Sequence, residues 1–207
     1  LLRGLEKLGL TERTAVCVVA DHGEEFGDHG GFEHGHTLHD ELLHVPLLVR
    51  APGGGPRRVG TTVGLQDVAP TLCEMVGIMP PAAFGGRSHV PQMRGEAGAD
   101  RPVLGEGNMW GPGGATLRRD GWKLLADVDR AAPADGTPSS LQVRLFHVVA
   151  DPRETEDLAA ARPGLRDELL ANLRDRLARA TDGAHMADQP VLDEEERARL
   201  KSLGYTN

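Results

Sequence analysis

A carboxylate and an imidazole stand side by side where an apolar run ends, in Val18-Val19-Ala20-Asp21-His22-Gly23. A strand of this kind delivers polar side chains at its carboxyl end, which is where open α/β sheets place their ligands. Adjacent side chains on a regular strand point to opposite faces. Asp21 and His22 can therefore converge on one ion only if the chain turns at that point, and Gly23 permits the turn. One carboxylate oxygen with one imidazole nitrogen suits a divalent cation such as Ca²⁺, Mn²⁺ or Zn²⁺. The plainer alternative is a strand-end aspartate capping the next turn beside a solvent-facing histidine.

A second concentration of chemistry follows at Gly31-Phe32-Glu33-His34-Gly35-His36-Thr37-Leu38-His39. Histidine can donate to an anionic oxygen, protonate a leaving group or ligate a metal. The glycines let the backbone approach a ligand closely. His34 and His36 also have an H-x-H spacing that invites a zinc reading, but no third ligand stands at a diagnostic distance. Six of the nine histidines, His22, His29, His34, His36, His39 and His44, fall between Asp21 and His44. That segment is long for a connection, and long structured loops in compact domains are usually functional.

These residues need elements to hold them. Ala15 to Ala20 is a continuous apolar run that predicts a strand buried on both faces, as in a parallel sheet covered by helices. Val45 to Arg50 predicts a second strand. Asp67 to Val76 predicts a helix capped by Asp67 and stopped by Gly77, with Leu72, Cys73 and Val76 on its inner side. From Arg101 the character changes. Pro102 to Glu106 predicts a short strand, Asp120-Gly121 a two-residue hairpin turn, and Leu141 to Val149 a further antiparallel strand. Arg118, Arg119 and Lys123 on that hairpin could meet an anionic substrate, but read first as exposed charges. Asp151-Pro152-Arg153-Glu154 has the pattern of a capping box at a helix start. Leu165, Leu169, Leu170, Leu173 and Leu177 form one apolar stripe over Pro163 to Ala180, and a last helix is expected from Asp193 to Leu203.

Composition narrows the function classes. The 207 residues are 39% hydrophobic and 26% charged, a globular balance. The net charge of −8 argues against nucleic acid or an anionic membrane surface as the main partner. No run approaches the ~18 apolar residues a transmembrane segment needs. Cys17 and Cys73 cannot build a disulfide framework and lie in no C-x-x-C pair, so both read as core thiols. The chain opens at Leu1, inside what reads as a helix end, and is expected to be a piece of a longer protein.

The segments Asp21-His22-Gly23-Glu24-Glu25-Phe26-Gly27-Asp28-His29-Gly30 and His34-Gly35-His36-Thr37-Leu38-His39-Asp40-Glu41-Leu42-Leu43-His44-Val45-Pro46-Leu47-Leu48-Val49-Arg50 closely resemble the sulfatase family of the alkaline phosphatase superfamily. The resemblance continues through Gln66 to Leu72, Gly85 to Ser88, Arg119 to Leu124, Leu145 to His147, Asp151 to Thr155 and the tail from Leu192 to Tyr205. It implies an α/β fold: residues 1–100 as the end of an alkaline-phosphatase-like, mainly parallel sheet domain, and 101–207 as a small antiparallel sheet with a C-terminal helix. It implies that Asp21 and His22 ligate one divalent ion, usually Ca²⁺, with Mn²⁺ or Zn²⁺ as alternatives. His34, with His36 as its rival, takes the place of the basic residue that contacts the sulfate or the leaving oxygen. The nucleophile of sulfatases is a formylglycine made from Cys or Ser in C/S-x-P-x-R, a motif these 207 residues do not contain. The chain by itself is thus expected to be inert. His39 and His44 stand where Tyr and Arg are more usual in the family.

The reading that follows is sulfuric ester hydrolysis of a small-molecule or glycan sulfate ester by a parent protein, for which a periplasmic or extracellular location is open. A phosphodiesterase, phosphonate monoester hydrolase or phosphotransferase of the same superfamily is the rival, made credible by His22 in place of Asn. A non-catalytic metal-binding relative is the alternative from another class. Asn108 and Trp110 are candidates for bordering the site.

Overall fold

The computed structural model of the chain describes residues 1–107, 113–128, 142–183 and 193–202. The region holding Asn108 and Trp110 and the tail beyond Ser202 lie outside those residues. The chain divides into two compact units, Leu1–Asp175 and Arg176–Asn207. The second contains the end of helix α5 and helix α6 (Glu194–Ser202). Every strand among the described residues belongs to the first.

After helix α1 (Leu2–Lys7), the apolar run forms β1 (Val16–Val19), and β4 (Leu47–Arg50) pairs with it in register Val16↔Arg50 to Val19↔Leu47. The pairing is antiparallel, as is every strand pair among the described residues. Val18 and Val19 are 56% and 40% exposed. The parallel pairing and two-sided burial expected for this strand are therefore not formed within these residues. An apolar run marks a strand but says nothing about which direction its neighbour runs.

Between β1 and β4 the histidine-rich segment makes a two-stranded ribbon, β2 (Glu25–Phe26) with β3 (Phe32–Glu33), and a one-turn helix α2 (Asp40–Leu43). The helix α3 (Val68–Met75) follows a 3₁₀ turn at Leu65–Asp67, and Gly77 at φ +73° ends it. Its buried residues are Pro70 and Thr71, while Leu72 and Cys73 are half-buried and Val76 is 60% exposed, so the inner side is not the one expected. Asp67 does not cap α3 with its side chain. Its buried carboxylate turns inward instead, accepting from the Gly64 and Arg87 amides, His89 Nε2 and Arg101. Burial works against its charge, yet these donors hold its pKa below the usual carboxylate value. The short helix α4 (Val90–Met93) begins beside His89.

The second sheet has the order β5-β6-β7-β8, with β5 (Val103–Glu106), β6 (Gly113–Arg119), β7 (Trp122–Val128) and β8 (Gln142–His147) all antiparallel. Asp120 (φ +51°) and Gly121 (φ +78°) make the two-residue turn that the Asp-Gly pair predicts. Leu117, Leu124 and Leu145 are fully buried, as are Leu169 and Leu173 on α5 (Pro163–Gly183), so the predicted leucine stripe is in place. Asp151 begins no helix. Glu154 takes φ +52° and its side chain turns into the protein, 3% exposed. Leu38, from the histidine-rich segment, is buried in one cluster with Leu125, Phe146 and Val148 of the second sheet. That cluster seats the loop on the sheet.

Candidate metal and anion site

Asp21 and His22 leave the end of β1 in a turn held from both sides. The Gly23 amide donates to the Leu42 carbonyl at 2.8 Å, tying the turn to α2. The approach is so close that a Cβ on residue 23 would lie 1.8 Å from the Glu41 carbonyl oxygen. The chain turns at Gly23 as expected, and glycine is required there by space, since its φ lies outside the left-handed region.

The turn sets the donors. His22 Nδ1 is 2.8 Å from the Gly23 carbonyl, an acceptor only, so Nδ1 carries the hydrogen and Nε2 keeps its lone pair. Nε2 lies 3.9 Å from Asp21 Oδ2. A backbone carbonyl fixing the far nitrogen of a histidine is the arrangement that orients metal-ligating imidazoles. The Asp21 pKa is lowered by its own and the His22 backbone amides and by the neighbouring imidazoles, which keeps it an anion. Asp21 and His22 therefore fit half of a divalent-ion site, one hard oxygen and one oriented nitrogen. No group of three or more His, Cys, Asp or Glu placed to hold a metal occurs among the described residues. Beside Asp21 is an open cleft of about 420 Å³ lined by Val19, Ala20, Leu65 and Val68.

His34 comes to the same place from the ribbon. Its ring stacks on that of His22, with centroids 4.2 Å apart and planes at 27°. His34 Nδ1 donates to Glu24 Oε1 at 3.1 Å, so Glu24 orients it. Asp21, His22 and His34 are thus brought together. His36, two residues further along, is exposed.

His29 and His39 form a separate, deeper pair. Their rings stack at 3.6 Å and 9°. His29 Nδ1 donates to Glu41 Oε1 at 2.5 Å. Burial disfavours the charged form of His29, but the hydrogen bond and charge of Glu41 prevail and raise its pKa. His39, 1% exposed, donates from Nδ1 to Glu154 Oε2 at 3.0 Å and accepts from Arg144 at Nε2 at 3.2 Å.

Glu154 is the residue that sequence reasoning missed, and Lys123 the one it misplaced. Lys123 is 1% exposed, with Nζ 2.9 Å from Asp40 Oδ1 and 2.8 Å from Glu154 Oε1. Arg118 reaches Asp40 Oδ2 at 2.7 Å, and Arg119 pairs with Glu168 on α5. The expected exposed charges on the hairpin are thus an ion-pair system, buried at Lys123. The one signal in the sequence was that Lys123 adjoins the apolar run Leu124-Leu125-Ala126, a strand that proves buried on both faces. Burial works to raise the Glu154 pKa, but the His39 hydrogen bond, the Lys123 ammonium and the Asp40 amide bring it down to about 2. Glu25 is also fully buried, its carboxylate accepting from Thr37 Oγ1 beneath the same loop.

Residues 1–78 match the family model described as Sulfatase. Arylsulfatase K of Bos taurus is 29% identical over 185 residues, covering 84% of this chain and 33% of its own length. The structure of a 2-O GAG sulfatase superposes with a TM-score of 0.70 at 22% identity, covering 91% of this chain and 42% of that one. A phosphonate monoester hydrolase from Silicibacter pomeroyi superposes with a TM-score of 0.65 at 25% identity, covering 94% and 40%. The chain spans about a third of the length of the curated relatives it matches.

Proposed function

We propose, from the match of residues 1–78 to the Sulfatase model and the likeness to arylsulfatase K, that the full-length protein is a metal-dependent sulfuric ester hydrolase whose site includes Asp21, His22 and His34. The observation that carries the reading is the turn after β1: His22 Nε2 oriented by the Gly23 carbonyl, 3.9 Å from an ionised Asp21, with His34 stacked above. Asp21 and His22 would hold the divalent ion, Ca²⁺ by family resemblance. When bound, such an ion withdraws negative charge from the ester oxygens. His34, oriented through Nδ1 by Glu24, would in its imidazolium form also donate from Nε2 to the sulfate or to the leaving alkoxide, where developing charge is greatest. His36 is the rival for that contact. A formylglycine nucleophile would come from outside these 207 residues.

In this reading residues 1–100 complete an alkaline-phosphatase-like, mainly parallel sheet of the catalytic domain, and the exposed Val18, Val19 and Leu48 of β1 and β4 are covered there. Residues 101–207 form the small C-terminal subdomain. The substrate is a sulfate ester of a glycan or small molecule, in line with the glycosaminoglycan sulfatase among the structural neighbours.

The test is hydrolysis of an aryl sulfate by the full-length protein, with and without a chelator, beside the variants Asp21→Asn and His34→Ala. Loss of turnover on chelation, and losses of about 10²-fold or more in both variants, are expected. The second reading, phosphonate monoester hydrolysis, is favoured by the likeness to the Silicibacter pomeroyi enzyme over 94% of this chain. A phenyl phosphonate monoester turned over faster than the aryl sulfate would select it.

A further inference from the structure

We infer that Glu154, held by Lys123, is a positioning residue for the Asp21–His22 pair: it fixes α2, and α2 fixes the turn at Gly23. The inference rests on the metal reading of that pair.

The connection runs through contacts of 3.0 Å or less. Glu154 Oε2 accepts the Asp40 amide at 2.6 Å and His39 Nδ1 at 3.0 Å, at the first turn of α2. Lys123 Nζ bridges Glu154 Oε1 and Asp40 Oδ1 at 2.8 and 2.9 Å. The start of α2 is therefore clamped on the floor of the second sheet by groups that are almost wholly buried. At the other end of this one-turn helix, the Leu42 carbonyl accepts the Gly23 amide at 2.8 Å, and the Glu41 carbonyl lies against Gly23 with no room for a Cβ. Only one turn separates the two ends, and it is closed by its own hydrogen bonds from the Leu42 and Leu43 amides to the His39 carbonyl and from the His44 amide to the Asp40 carbonyl, so the segment shifts as a unit. Movement of α2 at Asp40 must then move the backbone that orients His22.

The physical need for a charged clamp follows from the composition of the segment. Glu25, Asp40 and Glu41 put three carboxylates into a loop buried on the second sheet, and burial of unpaired charge is costly. Lys123 answers Asp40 and Glu154 together, so the clamp is an ion triad whose geometry tolerates little displacement. Its sequence address is far from the site: residue 154 acts on residue 22 through residues 39 to 42.

The test uses the full-length protein and Mn²⁺ as the probe ion. Mn²⁺ affinity is read by electron paramagnetic resonance, and the His22 tautomer by nitrogen-proton correlation spectra of the metal-free chain. Wild type and Asp21→Asn come first. Mn²⁺ binding in wild type that Asp21→Asn leaves unchanged sinks the metal reading alone, and the tautomer spectra then decide the positioning claim without a metal. The Glu154→Gln single variant and the Lys123→Met/Glu154→Gln pair follow, the pair leaving no lone buried ammonium. In a folded variant the His22 Nδ1–H signature is expected to broaden or mix with the other tautomer, and Mn²⁺ affinity to fall about 10-fold. A folded variant with an unchanged His22 spectrum and affinity within twofold of wild type overturns the inference. Unfolding of both variants overturns it too, since the triad would then be a determinant of the whole fold and not of the site.

Discussion

Gly23 lies under the candidate site with its α-carbon hydrogens where any other residue would carry a side chain. Substituting Ala drives a Cβ to 1.8 Å from the Glu41 carbonyl, so the turn or α2 must give way. The expected cost of Gly23→Ala is about 1–3 kcal/mol, the range for overpacking, measured by urea unfolding. Lys123 presents the opposite case, a buried cation whose removal leaves Asp40 and Glu154 facing one another. Lys123→Ala is expected to destabilise by about 3–5 kcal/mol, the range for breaking a buried pair from one side. A midpoint shift no larger than that of an exposed-residue variant such as Arg153→Ala would show that the carboxylates have another counter-charge.

At the scale of elements, the β6–β7 hairpin carries both cations that hold Asp40, Arg118 from one strand and Lys123 from the other. Their cross-strand register, Arg118↔Lys123, is set by the two-residue turn between Arg119 and Trp122. Gly121→Ala strains a residue at φ +78° and places a Cβ 3.0 Å from Val149 Cγ2. A loss of about 1 kcal/mol or more is expected, with faster amide exchange in β6 and β7 than in β1 and β4. Equal acceleration in both sheets would mean that the hairpin and the β1–β4 pair open as one unit. Leu38 in its cluster with Leu125, Phe146 and Val148 is the apolar counterpart of the ion triad, seating the histidine loop on the same sheet.

For the whole molecule, two groups give stability opposite dependences on pH. Glu154 has a folded pKa of about 2 against an ordinary 4.5, so its contribution is fully present above 4.5 and is lost as pH falls through 2. That difference corresponds to about 3 kcal/mol. His29 has a raised folded pKa, so its contribution is fully present below 6.5 and is lost as pH rises through the folded value. Thermal melts across pH should therefore fall away on both sides of a plateau between about 4.5 and 6.5. Glu154→Gln is expected to flatten the acid limb and His29→Gln the alkaline one. An unchanged acid limb in Glu154→Gln would mean that other carboxylates, Asp67 foremost, govern acid unfolding.

Much was legible without coordinates because it is local. The apolar run of β1, the Asp-Gly turn and the leucine stripe of α5 each rest on periodicity or on the φ preferences of neighbouring residues. The histidine loop stood out by its composition, and the tertiary structure brings His34 onto His22. What sequence could not show was partnership between distant charges. Glu154 read as the end of a capping box and Lys123 as an exposed charge, since both residue types are usually solvated. Only the folding of β7 and the Glu154 turn beneath α2 decided otherwise, by giving each buried charge an opposite one within 3 Å. Local backbone preference determines elements along the chain. The pairing of buried charges depends on which elements meet, and that is settled when the loop and the second sheet close on one another.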